Sequence, residues 1–135
     1  MAGKLIRMHT DKCIEAETFF DALDRLNRYQ DTEEVARVEK RFADGAEVYF
    51  IVYEKYFMRV ESYVSLSILF TKTDLRSSVE LVSSGGGDGL LNISWGAENS
   101  FTNDCAEVLE SLGFCREEEP EAEEKSKSFF GRLFK

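Results

Sequence analysis

The chain is poor in the residues that most often form metal sites and disulfides. Its 135 residues include one histidine and three cysteines. Cys13, Cys105 and Cys115 are an odd set without C-x-x-C spacing, so neither a disulfide framework nor a zinc knuckle is predicted. His9 lies four residues before Cys13 and would supply at most half of a metal site. We therefore expect no metal and no cofactor.

The chain also lacks long apolar runs and an excess of positive charge. No stretch approaches the roughly 18 apolar residues of a membrane span, and the segment MAGKLIRMHTDKCIEAE has no signal-peptide core. We expect a cytoplasmic protein. Residues 1–115 contain 12 Lys+Arg and 20 Asp+Glu, so their net charge is 12 − 20 = −8, and the whole chain has a net charge of −9. Without a basic stripe to replace the counterions of a phosphate backbone, we expect no nucleic-acid partner.

Residues suited to catalysis are equally sparse. His9 is the one imidazole available to activate three thiols and many serines. Glu54, Glu80 and Glu98 could act as paired carboxylates, but glutamates on strand faces and at helix starts are usually solvated or capping. We predict that the protein is not an enzyme.

What the chain does have is a folded body, because 43% of it is apolar and 13% aromatic. We predict a single domain over residues 1–115. Two stripes at helical spacing predict two helices. The first spans Ala16–Leu26 and buries the stripe Ala16, Phe19, Phe20, Leu23 and Leu26, and the second spans Phe101–Leu112.

The ends of the second helix are also predicted. Asn99 or Ser100 is expected to be its N-cap. Gly113 is expected to end it in a left-handed turn that brings Phe114 against Leu109.

Between these helices, period-two patterns predict strands. The segment AEVYFIVYEKYFM has apolar residues on both faces, as in a long central strand, and YVSLSILFT places Val64, Leu66, Ile68 and Phe70 on one face. LRSSVELVSS follows, and these neighbours are expected to pair as an antiparallel meander. DTEEVARVEKRFADG has two interpretations: Asp31 and Glu34 suit a helical capping box, whereas Ala36, Val38 and Phe42 suit one strand face, which we favour.

The glycine-rich segment SSGGGDGLLNISW suggests either a phosphate-binding loop or a hairpin. It contains no Lys or Arg, its Asp88 would repel a phosphate, and LLNISW alternates like a strand up to Trp95. We therefore predict a hairpin connection.

Together these patterns predict an α+β fold: an antiparallel sheet of five or six strands with two helices packed on one face. The segments VYEKY, VSLSILF, VSSGGG and the SWG-then-Phe stretch from Ser94 to Phe101 resemble a family of small bacterial proteins of unknown function, over roughly residues 46–112. The resemblance implies a strand and helix, an antiparallel sheet, an SGG turn and a closing helix. It implies no functional residues. The chain departs from the family pattern in its spacing from Gly96 to Phe101 and in the absence of glycines between Met58 and Tyr63.

Two features suggest binding. The aromatic residues of the central strand pair either pack the core or line an apolar cavity between sheet and helix, which would make the protein a small-ligand-binding domain; they are Tyr49, Phe50, Tyr53, Tyr56, Phe57 and Tyr63. The second feature is the tail, with residues 116–128 predicted to be an acidic flexible linker and residues 129–135 an amphipathic, basic and aromatic tip.

The tip is our candidate binding site. Its residues are Phe129, Phe130, Arg132, Leu133, Phe134 and Lys135. Burying four large apolar side chains gains on the order of 6–12 kcal/mol, which ordering seven residues cancels, so contact through the tip is expected to be weak and reversible. We predict a non-catalytic cytoplasmic binding or adaptor domain whose tip docks on a protein partner or an anionic membrane surface, the latter making the protein a peripheral membrane protein. Folding back of the tip onto its own domain stays open, as does the oligomeric state.

Overall fold

The computed structural model describes residues 3–58, 61–85 and 95–117, and within them the chain forms six strands and two helices. This architecture confirms the predicted α+β class. The elements in chain order are β1 (Gly3–Thr10), α1 (Ala16–Gln30), β2 (Glu33–Arg41), β3 (Glu47–Phe57), β4 (Ser62–Lys72), β5 (Ser77–Gly85), α2 (Trp95–Ser111) and β6 (Cys115–Arg116).

The strands form one antiparallel sheet in the order β2-β3-β4-β5-β1-β6. Strands β2 to β5 are the predicted meander, since each follows its neighbour after a short connection. β1 pairs with β5 along its whole length, and the short β6 pairs with the other edge of β1.

Both helices lie on one face of this sheet, which we call the covered face. Val64, Leu66, Ile68 and Phe70 of β4 point into it and are each at most 1% exposed, as their period-two spacing predicts. The Phe19 ring of α1 stacks on Phe70 with ring centroids 4.0 Å apart. The core therefore lies between this face and the helices.

The segment with two interpretations is strand β2, which confirms the one we favoured. A tight turn connects it to β3: Gly45 has a positive φ of 92°, and the Phe42 amide donates to the Ala46 carbonyl at 2.8 Å. A β-bulge interrupts the β2–β3 register between Glu34 and Ala36. The segment forms a strand and not a capped helix because β3 supplies partners for its backbone groups.

The first helix begins at Ala16 as predicted and continues beyond Leu26 to Gln30. It ends where Asp31 adopts the left-handed conformation, with φ 56°. The second helix begins at Trp95, so the predicted N-cap at Asn99 or Ser100 and the strand assignment of Trp95 are wrong. In a helix interior, Asn99 and Ser100 are each less favourable than alanine by at most about 0.7 kcal/mol. This cost is small compared with the free energy gained by burying the apolar stripe that follows.

The predicted end of α2 is confirmed. Gly113 has φ 110°, its amide donates to the Glu110 carbonyl at 3.0 Å, and the Phe114 amide donates to the Leu109 carbonyl at 3.2 Å. These two bonds form a Schellman motif. Phe114 and Leu109 both belong to the buried core.

Two predicted segments lie outside the described residues: the glycine-rich connection over residues 86–94 and the tail from residue 118. Just before the first, Gly85 has φ 102°, and a Cβ at this position would lie 2.9 Å from the Tyr63 carbonyl oxygen. Only glycine fits there without strain. At the other boundary, Arg116 belongs to β6 and the Glu117 amide donates to the Arg7 carbonyl at 2.8 Å. The sheet contacts therefore continue two residues past Cys115.

Candidate functional site

The residues considered for metal binding and acid–base chemistry are dispersed in the fold. His9 lies on β1 with its Nδ1 atom 3.3 Å from Glu117 Oε2, while Cys13 is exposed in the connection that follows. Within residues 3–58, 61–85 and 95–117, no three His, Cys, Asp or Glu side chains come together as metal ligands.

The candidate carboxylates are likewise apart. Glu54 on β3 and Glu80 on β5 are separated by β4, where they pair with Ser65 and Leu69 respectively. Glu80 Oε2 instead accepts from Arg7 Nε at 3.3 Å. The position of the Glu98 side chain lies outside the described part. Glu54 and Glu80 therefore do not form an acid–base pair.

The one fully buried thiol in the described part is also poorly suited to nucleophilic chemistry. Cys105 is 1% exposed, and burial raises the pKa of its thiol to about 12, with a smaller contribution from the nearby Asp104 carboxylate. The thiolate is the nucleophilic form, so Cys105 is protonated and inert at neutral pH. It serves as a core residue on α2.

The six aromatic residues of β3 and β4 divide between the two faces of the sheet. Tyr49, Tyr53 and Phe57 point toward the helices, and the other three point away: Phe50, Tyr56 and Tyr63. The alternation of a strand makes this division unavoidable, because neighbouring positions face opposite ways. The six rings therefore do not all face the space between sheet and helices, and the three that do pack in or against the core.

Side chains fill the space between helices and sheet around these aromatics. The Phe20 ring lies 5.3 Å from the Tyr49 ring, and the Tyr49 ring lies 5.6 Å from the Phe70 ring. Tyr53 is so enclosed that burial raises the pKa of its hydroxyl to about 12. This packing gives no support to the ligand-binding alternative, which stays an untested prediction.

The opposite side of the sheet, which we call the open face, carries no helix among the described residues. Its side chains align in rows across the strands: Val38 pairs with Phe50 and Phe50 with Leu69, while Ala36 pairs with Val52. Together with Val48 these residues form what we call the apolar strip. Phe50 is 39% exposed and Val38 is 46% exposed. Contiguous apolar surface of this kind commonly marks an interaction site.

One end of the apolar strip meets a concentration of negative charge. A cavity of about 440 Å³ there is lined by Asp31, Thr32, Glu33, Glu54, Tyr56 and Tyr63. The rings of Tyr56 and Tyr63 pack edge to face with centroids 5.1 Å apart. Carboxylates beside aromatic rings favour a cationic group. We call this cluster the acidic corner.

The predicted tip cannot be placed, since Phe129, Phe130, Arg132, Leu133, Phe134 and Lys135 all lie outside the described residues. Neither helix in the described part has the length and apolar character needed to cross a bilayer.

The sequence pattern shows that β3 is apolar on both faces, which suggests burial on both. It does not identify the second face as the surface that stays uncovered in the described part. The signal for the apolar strip is therefore present in the residues, but its exposure depends on where the helices pack.

Comparison with known proteins places the chain in a family without assigning it a role. No curated protein and no solved structure matches it. The model of a family of unknown function, DUF6054, matches residues 25–113, beginning within α1 and thus earlier than the resemblance seen in the sequence. Since this match covers more than half of the chain, the protein belongs to that family of unknown function.

Proposed function

We propose that this protein is a non-catalytic binding domain that holds a protein segment of apolar and basic residues on its open face. The observation that carries the proposal is the apolar strip of β2, β3 and β4, exposed on the side of the sheet away from both helices. An extended or helical segment can cover such a surface with every second, or every third and fourth, side chain.

Charge favours a basic protein segment over an anionic membrane. The apolar strip borders the carboxylates of Glu33 and Glu54, and residues 1–115 carry a charge of 12 − 20 = −8. An anionic lipid surface would repel this body, whereas Lys or Arg side chains beside an apolar segment would be attracted to it.

The tip at residues 129–135 supplies the second contact in this proposal. Its apolar and basic side chains suit an apolar groove on a protein partner, and docking there stays our prediction for it. A flexible linker would let the tip and the open face engage one partner together, which raises the overall affinity without new contacts.

A synthetic peptide of alternating leucine and lysine residues, unrelated to the chain's own tip, is a suitable probe because it joins apolar to basic side chains. Added to the isotope-labelled full-length protein, it should give saturable chemical-shift changes on β2, β3 and β4. A control peptide with serine in place of every leucine should give none. The Phe50→Thr variant should bind at least about fivefold more weakly, and the Leu75→Thr variant, changed in the exposed β4–β5 turn, should bind normally.

Sedimentation with anionic phosphatidylserine vesicles distinguishes the membrane alternative. If the full-length protein sediments with these vesicles and the peptide leaves the open face unperturbed, the protein-binding role is wrong and the tip is a membrane anchor. Shift changes confined to the covered face would also contradict the proposal.

A further inference from the structure

Strand β2 is an edge strand that the described part of the fold leaves accessible. It stands first in the sheet order and pairs with β3, and its other side has no partner among the described residues. All nine of its residues are exposed. Arg37 lies with its guanidinium 4.1 Å from the centroid of the Phe20 ring of α1, and its Nη2 donates to Glu34 Oε1 at 2.6 Å. Because these contacts leave every β2 residue exposed, a second chain can approach the backbone of this edge.

The β2–β3 turn shows which backbone groups of β2 point outward. The Phe42 amide bonds to the Ala46 carbonyl, so Phe42 and Ala46 form a hydrogen-bonded pair. Such pairs alternate along an antiparallel ladder, which makes Lys40 and Val38 the next β2 residues bonded to β3. The N–H and C=O groups of Arg37, Glu39 and Arg41 consequently face the free edge.

The charges on β2 select one register for self-pairing, since a register centred on Lys40 would pair Glu39 with Arg41 but oppose two lysines. Two β2 strands that pair antiparallel are related by a two-fold axis. If the axis passes through Arg37, the two copies of Arg37 face each other, and if it passes through Glu39, the two copies of Glu39 do. An axis at Val38 places Arg37 of each copy opposite Glu39 of the other copy. Opposite charges directly across an antiparallel pair stabilise it, and like charges destabilise it. The Val38 axis also brings the two Val38 side chains together on the open face.

We propose that two copies of this chain associate through β2, in the antiparallel register centred on Val38, and join their six-stranded sheets into one. The bulge beside Ala36 limits the regular pairing to residues 36–40, so the interface is small and the dimer depends on concentration. Both pairs of helices would lie on the same side, and the two apolar strips would meet across the axis. This assembly goes beyond the proposed function and does not depend on it.

Sedimentation velocity of the full-length protein over a wide concentration series tests the proposal. We expect a monomer–dimer equilibrium. In the Glu39→Lys variant, a lysine would face Arg37 of the other copy at both symmetric positions of the dimer. This repulsion should raise the dimer dissociation constant at least about tenfold. Glu33→Lys is the matched control, since it makes the same charge change on the same strand but beyond the bulge; its dissociation constant should stay within about twofold.

Mixing two variants tests the register itself. Arg37→Glu should also weaken self-association, because the new carboxylate would face the Glu39 carboxylate of the other copy. An equimolar mixture of the Arg37→Glu and Glu39→Lys variants should form a heterodimer, since both cross-strand pairs in it have opposite charges. Circular dichroism checks that each variant is folded. A full-length protein that stays monomeric, a dimer unaffected by Glu39→Lys, or a mixture that does not associate would each overturn the proposal.

Discussion

The two faces of the sheet are built from the same strands but differ in what they contribute. On the covered face, β4 presents four apolar side chains that are each at most 1% exposed, whereas on the open face the same strand presents Tyr63, Ser65, Ser67, Leu69 and Thr71. The covered face accounts for the core, and the open face has apolar surface that the described fold does not use. The contrast teaches that apolar residues in one strand serve stability on one side and are available for recognition on the other.

Truncation of one phenylalanine on each face gives the largest expected difference. Phe70→Ala removes a ring that packs against Phe19, Tyr49 and Phe114, and should lower the free energy of unfolding by about 3–5 kcal/mol. Phe50→Ala on the open face should lower it by about 1 kcal/mol, because the ring is already partly exposed to water. Urea unfolding measures both values, and equal losses would show that the open face is covered in solution.

Alkaline pH should lower the free energy of unfolding, because Cys105 is buried between α2 and the covered face. Burial raises the folded pKa of this thiol from 9.0 to about 12, so the unfolded chain releases the proton first. Stability contributed by the protonated thiol is therefore complete below pH 9 and is lost as the pH rises toward 12. By about pH 10 the loss should be on the order of 1 kcal/mol.

The matched variant for this effect is Cys105→Ala. Its free energy of unfolding, followed by urea titration at about pH 8, 9 and 10, should fall less steeply with pH than that of the unchanged protein. Identical slopes would show that Cys105 is not enclosed as the packing of α2 indicates.

Removal of the tip should have the smallest effect on stability. Deleting residues 129–135 removes four large apolar side chains from a segment predicted to lie outside the folded body. The melting temperature should change by less than about 2 °C, as expected for surface changes within about 0.5 kcal/mol. A larger drop, or slow hydrogen exchange in the tip of the monomeric protein, would mean that the tip packs on the body and would count against its role as a free contact.

Much of the fold could be predicted because its patterns are local. The alternation in β4, the stripe of Phe19, Phe20 and Leu23, and the stop at Gly113 are each visible in the spacing or type of residues close together in the chain. The sequence analysis places the start of α2 too late because the alternation of LLNISW continues to Trp95 and the helical stripe begins at Phe101, so local pattern does not assign the residues between them. The division of the six aromatics could have been read from their spacing.

What the sequence by itself determined is the two helices, the strands of the meander and the identity of many core residues, since periods of two and 3.6 specify which side chains share a face. Only the tertiary structure decided which face of β3 the helices cover, that β1 lies between β5 and β6, and that β2 is left at the edge. These outcomes depend on packing between residues far apart in the chain, which compete for partners across the whole molecule. The candidate binding surfaces follow from this packing. They consist of the apolar side chains of the open face and the outer backbone groups of β2, which contact no other element in the described part of the chain.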